Sequence, residues 1–426
     1  MSHIIGKSAY KSLEERLNRF PQGAPPSETL YKILSVLFNE KEAALVSKLP
    51  IRYFTVKDAS RIWKLDEATA QNILEDLASR ALLFDAEHNG LQKYALPPPM
   101  AGFFEFTLMR TTNKFDQKLI SELFNQYLSV EEEFIKDLFW GSETKMGRVF
   151  VQEKSLNKSN MVHILDYERA SHIIKSSENI GVSMCYCRHK MHHLGKDCYA
   201  PMDTCLSFGN TAHSLIKHEY ARKIEAAEAL EILGESYENN LVQCGENVRE
   251  DISFMCNCCG CCCEAMIAAK EYGLAHPIQT TNFIPRIIED SCVKCGRCEK
   301  ACPIEAIEIK TVEDNLGNKK KTISINEEIC LGCGVCVRNC SKNSIYLDSR
   351  KERVITPVNT VHRLVLTAIE KDTLQHLVFD KHSLVSHRIL GAILSVILKL
   401  PPLKQALASK QMKSVYLDNL IGKIKL

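Results

Sequence analysis

Between residues 27 and 96 the apolar positions follow helical spacing, then switch to alternation. Pro25-Pro26-Ser27 precedes Leu30, Ile33, Leu34 and Leu37, which share one helical face. Thr55 and Asp58 have the spacing of a capping box and open a short helix to Trp63. Asp66 caps a further helix whose apolar face is Ala70, Ile73, Leu74 and Leu77. Leu82–Asp85 and Leu91–Leu96 then flank Asn89-Gly90, a hairpin signal, and Pro97-Pro98-Pro99 closes the unit. Further on, Val149–Gln152, Val162–Leu165 and Ile180–Met184 read as strands, and Tyr167–Ser176 as a helix. Glu219–Leu233 is helical and is expected to stop at Gly234. Ile304–Ile309 and Thr322–Ile325 alternate as short strands, with Asp314–Asn318 supplying the turn. In the tail, Val361, Leu364, Val365, Ala368 and Ile369 fall on one helical face, and Arg388–Leu400 is apolar nearly all round.

These patterns predict a multidomain α+β chain. Its segments are 1–100, a connecting helical and α/β piece at 101–180, a cysteine-rich α/β middle at 181–285, a compact unit at 286–350, and a helical tail at 351–426. Three helices followed by a two-stranded hairpin resemble a winged helix-turn-helix, on element order alone. The resemblance implies DNA binding, and the residues argue against it. The helix that would enter the groove holds Asp66, Glu67, Glu75 and Asp76 against Arg80 alone, a face that phosphates repel. A protein-interaction or dimerisation module is the expectation for 1–100.

Net charge is +2, which gives no general pull towards nucleic acid or anionic lipid. The longest apolar run, Ile389–Leu398, is too short to span a bilayer and ends at Lys399 and Pro401-Pro402. Peripheral membrane contact through 388–400 stays open as a second reading of that segment, although its polar face is poor. Met1–Phe20 lacks the apolar core and cleavage site of a signal peptide, so a reducing, oxygen-poor cytoplasm is the expected compartment.

Cysteine changes the picture. All 19 lie between Cys185 and Cys340, and in a long chain without an export signal such density points to metal and not to disulfides. Cys292, Cys295, Cys298 and Cys302 stand as C-x2-C-x2-C-x3-C with Pro303 following, and Cys330, Cys333, Cys336 and Cys340 repeat the spacing. A tight loop can wrap three corners of a cubane with three thiolates, while the fourth must come from elsewhere. Gly296, Gly332 and Gly334 suit loops that crowd a cluster and aim N–H groups at sulfur. This segment resembles the bacterial two-cluster ferredoxins. The resemblance implies two [4Fe-4S] clusters that relay single electrons, with the fourth cysteine of each run serving the other cluster. One set is then Cys292, Cys295, Cys298 and Cys340, the other Cys330, Cys333, Cys336 and Cys302. Two departures stand out: Ser341 replaces the usual proline, and the piece between the runs is longer, as an inserted hairpin would make it. Zinc is the rival, but it needs only two C-x2-C pairs. Lys294, Arg297, Lys300, Arg338 and Lys342 stand beside the ligands, where cations favour the reduced cluster and can dock an acidic redox partner protein.

The middle is less regular. Cys185, Cys187, Cys198 and Cys205 form one group; Cys256, Cys258, Cys259, Cys261, Cys262 and Cys263 form a second; Cys244 stands between them. One group alone, or both together, can build an additional iron–sulfur or zinc centre, iron–sulfur being preferred. Buried free thiols and a dithiol relay are the rivals. Six thiols in eight residues cannot all point one way on a strand or helix, so several are expected to face away. His189, His192 and His193 are further ligand or proton-carrying candidates, and Arg188 is a charge partner for thiolates. The chain resembles iron–sulfur proteins of anaerobic microbes that join such a region to a two-cluster unit. The expected function is electron transfer. The rivals are an oxidoreductase with a reactive centre in 181–285, a redox-sensing winged-helix regulator, and a scaffold. No glycine-rich dinucleotide fingerprint or P-loop is present.

Overall fold

The computed structural model describes residues 2–88, 90–161, 164–272, 276–313, 319–379 and 395. The apolar segment Arg388–Leu400 (all but Ser395), the turn 314–318, Asn89, and the first half of the strand expected at 162–165 lie outside them. The chain divides into two compact units. The first takes the residues up to Thr144, Asn210–Arg222 and those from Val358 onward; the second takes Lys145–Gly209 and Lys223–Pro357.

In the first unit the capping signals act as the sequence predicts. Ser27 caps the helix Glu28–Leu37, which buries Leu30, Ile33, Leu34 and Leu37. Thr55 and Asp58 close a reciprocal box on Val56–Trp63, and Asp66 caps Glu67–Ser79. A further capping box, Asn39 with Glu42, opens a helix at Glu40–Val46 that the apolar spacing had not singled out. Strands β1 (Phe84–His88) and β2 (Leu91–Ala95) pair antiparallel, and Phe54 bridges to Tyr94 beside them. Asp85 on β1 is buried. It accepts from Ser214 Oγ and Lys217 Nζ at 2.6 Å and lies 3.1 Å from His218 Nε2. Burial works against its ionisation, but these partners outweigh it and hold the carboxyl well below its usual range. The tail helix Thr360–Glu370 buries Val365, Ala368 and Ile369 against Ile51, Leu374 and Leu377.

The second unit is built on a six-stranded sheet in the order β3-β7-β8-β5-β4-β6. Its strands are β3 (Gly147–Val149), β4 (Ile180–Met184), β5 (Asp203–Phe208), β6 (Arg222–Ile224), β7 (Val242–Glu246) and β8 (Phe254–Cys258). Alternation along a strand gives the sheet two different faces. Ile180, Val182, Leu206, Phe208 and Met255 pack with Ile173, Ile174, Leu233 and Tyr237 from the helices Ala170–Ser176 and Ala226–Glu238. The alternate positions carry cysteine: Cys205 on β5, Cys244 on β7, and Cys256 and Cys258 on β8, with Cys244 directly opposite Cys256.

Several expected boundaries move. The helix expected at Glu219–Leu233 runs Ala226–Glu238, straight through Gly234, because Leu233 and Tyr237 one turn apart anchor it to the core on both sides of the glycine. The strand expected at Val149–Gln152 is Gly147–Val149, since beyond it Gln152 N–H turns to the carbonyl of Cys333. Ile164 and Leu165 lead into a short turn of helix at Asp166–Glu168 instead of a strand. Strand β9 (Phe283–Ile287) pairs with β12 (Ile345–Ser349), and β10 (Ile307–Glu313) with β11 (Lys319–Ile325), a longer hairpin than its alternation suggested. Among the described residues no helix is long and apolar enough to cross a membrane.

Candidate metal centres

The two C-x2-C-x2-C-x3-C runs fold alike. Each passes through a glycine in the left-handed region, Gly296 at φ 81° and Gly334 at φ 89°, and enters a short helix, Arg297–Ala301 or Val335–Arg338. Glycine is required there because a side chain strains that backbone. Gly332 adds a close approach: with φ 70°, a Cβ on it would stand 2.1 Å from the carbonyl oxygen of Phe283. The last cysteine of each run receives a backbone donor four residues on. Ala306 N–H donates to Cys302 Sγ and Ser344 N–H to Cys340 Sγ, both at 3.2 Å. Such donors favour sulfur in its anionic, metal-binding form.

Cys302 belongs to the first run, yet it lies near enough to Cys330, Cys333 and Cys336 of the second to help burial raise their thiols, and Cys298 does the same at Cys336. Cys292 and Cys295 act on Cys298. Burial pushes the Cys330 thiol up to about 11 and that of Cys333 up to about 12. Thiols so placed need a cation to ionise, which suits metal ligation. Cys298, Cys336 and partly buried Cys292, Cys302 and Cys340 share an apolar nest with Ile307, Ile323 and Ile345. Cys295 is exposed, and so are its sequence neighbours Val293, Arg297 and Lys300, as is Lys342 beside Cys340. Lys294 lies 3.8 Å from Glu289, and Arg338 pairs with Glu238, so those two cations are already engaged.

The middle cysteines come together in two arrangements. In the first, the sulfurs of Cys198, Cys259, Cys261 and Cys262 all lie within 4.8 Å of one another. Cys262 Sγ is 3.7 Å from Cys261 Sγ and 3.9 Å from Cys198 Sγ. The second is a string of thiol contacts on the cysteine face of the sheet. Cys205 Sγ is 3.8 Å from Cys256 Sγ, Cys256 and Cys244 contact Cys258, Cys258 contacts Cys263, and Cys263 contacts Cys187, which meets Cys185. Several of the six thiols in 256–263 were expected to face away; instead all six join one arrangement or the other, and Cys261, the exposed one, still lies in the tight four. The chain leaves β8, turns at 259–262 and starts the helix Glu264–Glu271, so successive sulfurs reach different groups.

Charge supports both arrangements. Arg188 is fully buried and donates to the Asn257 carbonyl at 3.0 Å and to Thr204 Oγ1, while facing the thiols of Cys185, Cys258 and Cys259. Lys190, also fully buried, pairs with buried Glu264. A buried guanidinium is costly without a counter-charge. Those facing Arg188 are sulfurs. A hydrogen bond from Cys262, with Arg188 behind it, draws the Cys259 thiol down to about 4 despite burial. His189 and His193 stand 3.1 Å apart, and His192 pairs with Asp197.

Residues 291–344 match the family model of a 4Fe-4S dicluster domain. No curated protein and no solved structure matches the chain. The match and the cysteine clusters define an iron–sulfur electron-transfer protein. The part of the chain that carries this likeness is the dicluster segment; the cysteine-lined sheet lies outside it.

Proposed function

We propose that the chain carries two [4Fe-4S] clusters, bound crosswise, and a further metal centre in the middle region, and that it passes electrons between a partner protein and that region. Cys292, Cys295, Cys298 and Cys340 would hold one cluster, and Cys330, Cys333, Cys336 and Cys302 the other. Bound there, each cluster supplies a one-electron couple with every iron corner occupied by a thiolate. What supports the reading is the nearness of Cys302 to the three thiols of the second run, with Cys298 also bearing on Cys336, inside one shared apolar nest. The chain also gives the unit an outer and an inner end. Cys295 is exposed, and so are Arg297 and Lys300 close to it in sequence and Lys342 beside Cys340, cations that suit an acidic partner. At the other end Cys333 acts on Cys244 of the sheet. The further centre is supported by the sulfur contacts and by Arg188, whose burial asks for anionic sulfur.

The first unit serves interaction with protein, not DNA, in this reading. On the helix Glu67–Ser79 the exposed side chains include Glu67, Glu75 and Asp76, and Arg80 is held by Glu42 at 2.7 Å and Asp76 at 2.8 Å. We place the protein in an anaerobic cytoplasm on the strength of its many oxidisable cysteines, none of which forms a disulfide among the described residues. A second reading, an oxidoreductase with its reactive centre in the sheet, draws on the thiol string, which holds more sulfurs than one cubane uses.

Anaerobically purified protein should contain at least about eight iron and eight sulfide. A count near half of that rejects the paired clusters. In Cys302→Ser the EPR signal assigned to the second run should change; a change confined to the first cluster rejects crosswise ligation.

A further inference from the structure

The eleven cysteines of the sheet region are not one reservoir of ligands. Four of them have the spacing of a single ion. A tetrahedral metal with sulfur bonds of about 2.3 Å holds its four thiolates about 3.8 Å apart along every edge. Cys262 lies 3.7 Å from Cys261 and 3.9 Å from Cys198, and with Cys259 the four sulfurs stay within 4.8 Å of one another. A cubane spreads its thiolates further, because each sulfur sits on its own iron corner. The dicluster segment provides the internal comparison: among the described residues, its eight sulfurs form no group this tight.

The local backbone is that of a metal knuckle. Cys262 N–H donates to Cys259 Sγ, and Gly260 between the paired cysteines has no room for a side chain. A Cβ on Gly260 would lie 2.4 Å from the carbonyl oxygen of Pro303 and 3.0 Å from its Cα. Cys198 reaches this turn from a loop after the helix Tyr186–His193, in which Tyr199 is wholly exposed and Lys196 and Asp197 face solvent.

We infer that Cys198, Cys259, Cys261 and Cys262 bind one zinc ion in a closed four-thiolate site, separate from the thiol string and from the electron-carrying clusters. The inference deepens the reading that the middle region binds metal, and rests on it. Four soft thiolates in a tetrahedron select zinc over harder cations. With every position filled by the chain, the ion has no place for substrate and pins the 194–202 loop to the 259–262 turn. It takes zinc where the sequence reading preferred iron–sulfur in this part of the region; the string of Cys185, Cys187, Cys205, Cys244, Cys256, Cys258 and Cys263 is left for other chemistry.

The test is metal analysis of the full chain, purified anaerobically, with X-ray absorption at the zinc edge. The expected result is about one zinc per chain surrounded by four sulfurs at about 2.3 Å. Cys261→Ser, at the exposed ligand, and Cys198→Ser/Cys261→Ser should lower zinc occupancy at least tenfold in the double variant. Iron content and cluster EPR should stay as in the parent, and protease should cut the 194–202 loop faster. If zinc is absent and iron above the dicluster complement falls in the variants, the site holds iron, as one ion or a cluster: the zinc inference fails and the wider metal reading survives. If neither metal changes and no metal beyond the dicluster complement is found, both fall. Because the absorption measurement needs no variant, a misfolded mutant cannot hide the answer.

Discussion

The dicluster segment and the cysteine-lined sheet use the same ligand atom and arrange it by opposite means. In the dicluster segment the backbone shapes the site: left-handed glycines, loop N–H donors at 3.2 Å, and sulfurs kept from close packing. In the sheet the sulfurs touch, and buried side-chain charges surround them, Arg188 and the Lys190–Glu264 pair. A backbone-shaped site is written in a few local residues. A charge-shaped site needs partners from elements distant in sequence and can be lost by changing one of them.

That contrast is open to attack. The largest effect should come from Lys190→Met, which strands Glu264 in the interior and should cost about 3–5 kcal/mol in denaturant unfolding. Adding Glu264→Leu should restore most of it, and cluster EPR should be untouched in the double variant. If the dicluster signals collapse with the single change, the two regions are not independently shaped. Next, Gly332→Ala forces both a left-handed alanine and a contact at 2.1 Å with the Phe283 carbonyl. About 2–4 kcal/mol of stability should be lost, with the second cluster's iron affected and zinc retained. Gly260→Ala probes the seam, where the thiolate turn presses on the residue after Cys302. Overpacking should cost about 1–3 kcal/mol, and both zinc occupancy and the second cluster's EPR line shape should respond. The smallest effect on stability is expected from Arg297→Gln/Lys342→Gln, below about 0.5 kcal/mol for exposed charges. Its readout is the rate of reduction by an acidic redox partner, slowed several-fold at low salt and converging with the parent at high salt. Equal rates at every ionic strength would move the docking surface elsewhere.

How much could be read beforehand follows the same division. The dicluster runs were legible because the features that mark them are local: cysteine spacing, glycine, and alternating strands. The capping boxes of the first unit were legible for the same reason, although the box at Asn39 and Glu42 was passed over because its short helix buries only Ala43 and Val46. Apart from β4, expected and found at Ile180–Met184, the sheet was not legible. Its buried face positions include Ser183, Ser207, Gln243 and Asn257, which look like loop residues until their partners are known. Asn257, for example, donates to the Thr204 carbonyl and accepts from Gln243, contacts made across strands and invisible to periodicity. Cysteine on the opposite face completed the disguise, since it reads as ligand before it reads as strand. Division of the middle thiols into a tight four and a longer string depends on the turn at 259–262, where neighbouring residues part company.

The seating of the dicluster loops has a consequence for how such a module can travel between proteins. The matched stretch, 291–344, stops short of β9 on one side and of β12 on the other. Ser155 Oγ donates to the Gly334 carbonyl, Gln152 N–H to that of Cys333, and Arg350 to that of Cys330. Excised as a cassette, the stretch would forfeit a strand pair and three outside clasps on its second loop. Any recombination that moved it intact had to carry those supports along, or the host had to evolve substitutes for them.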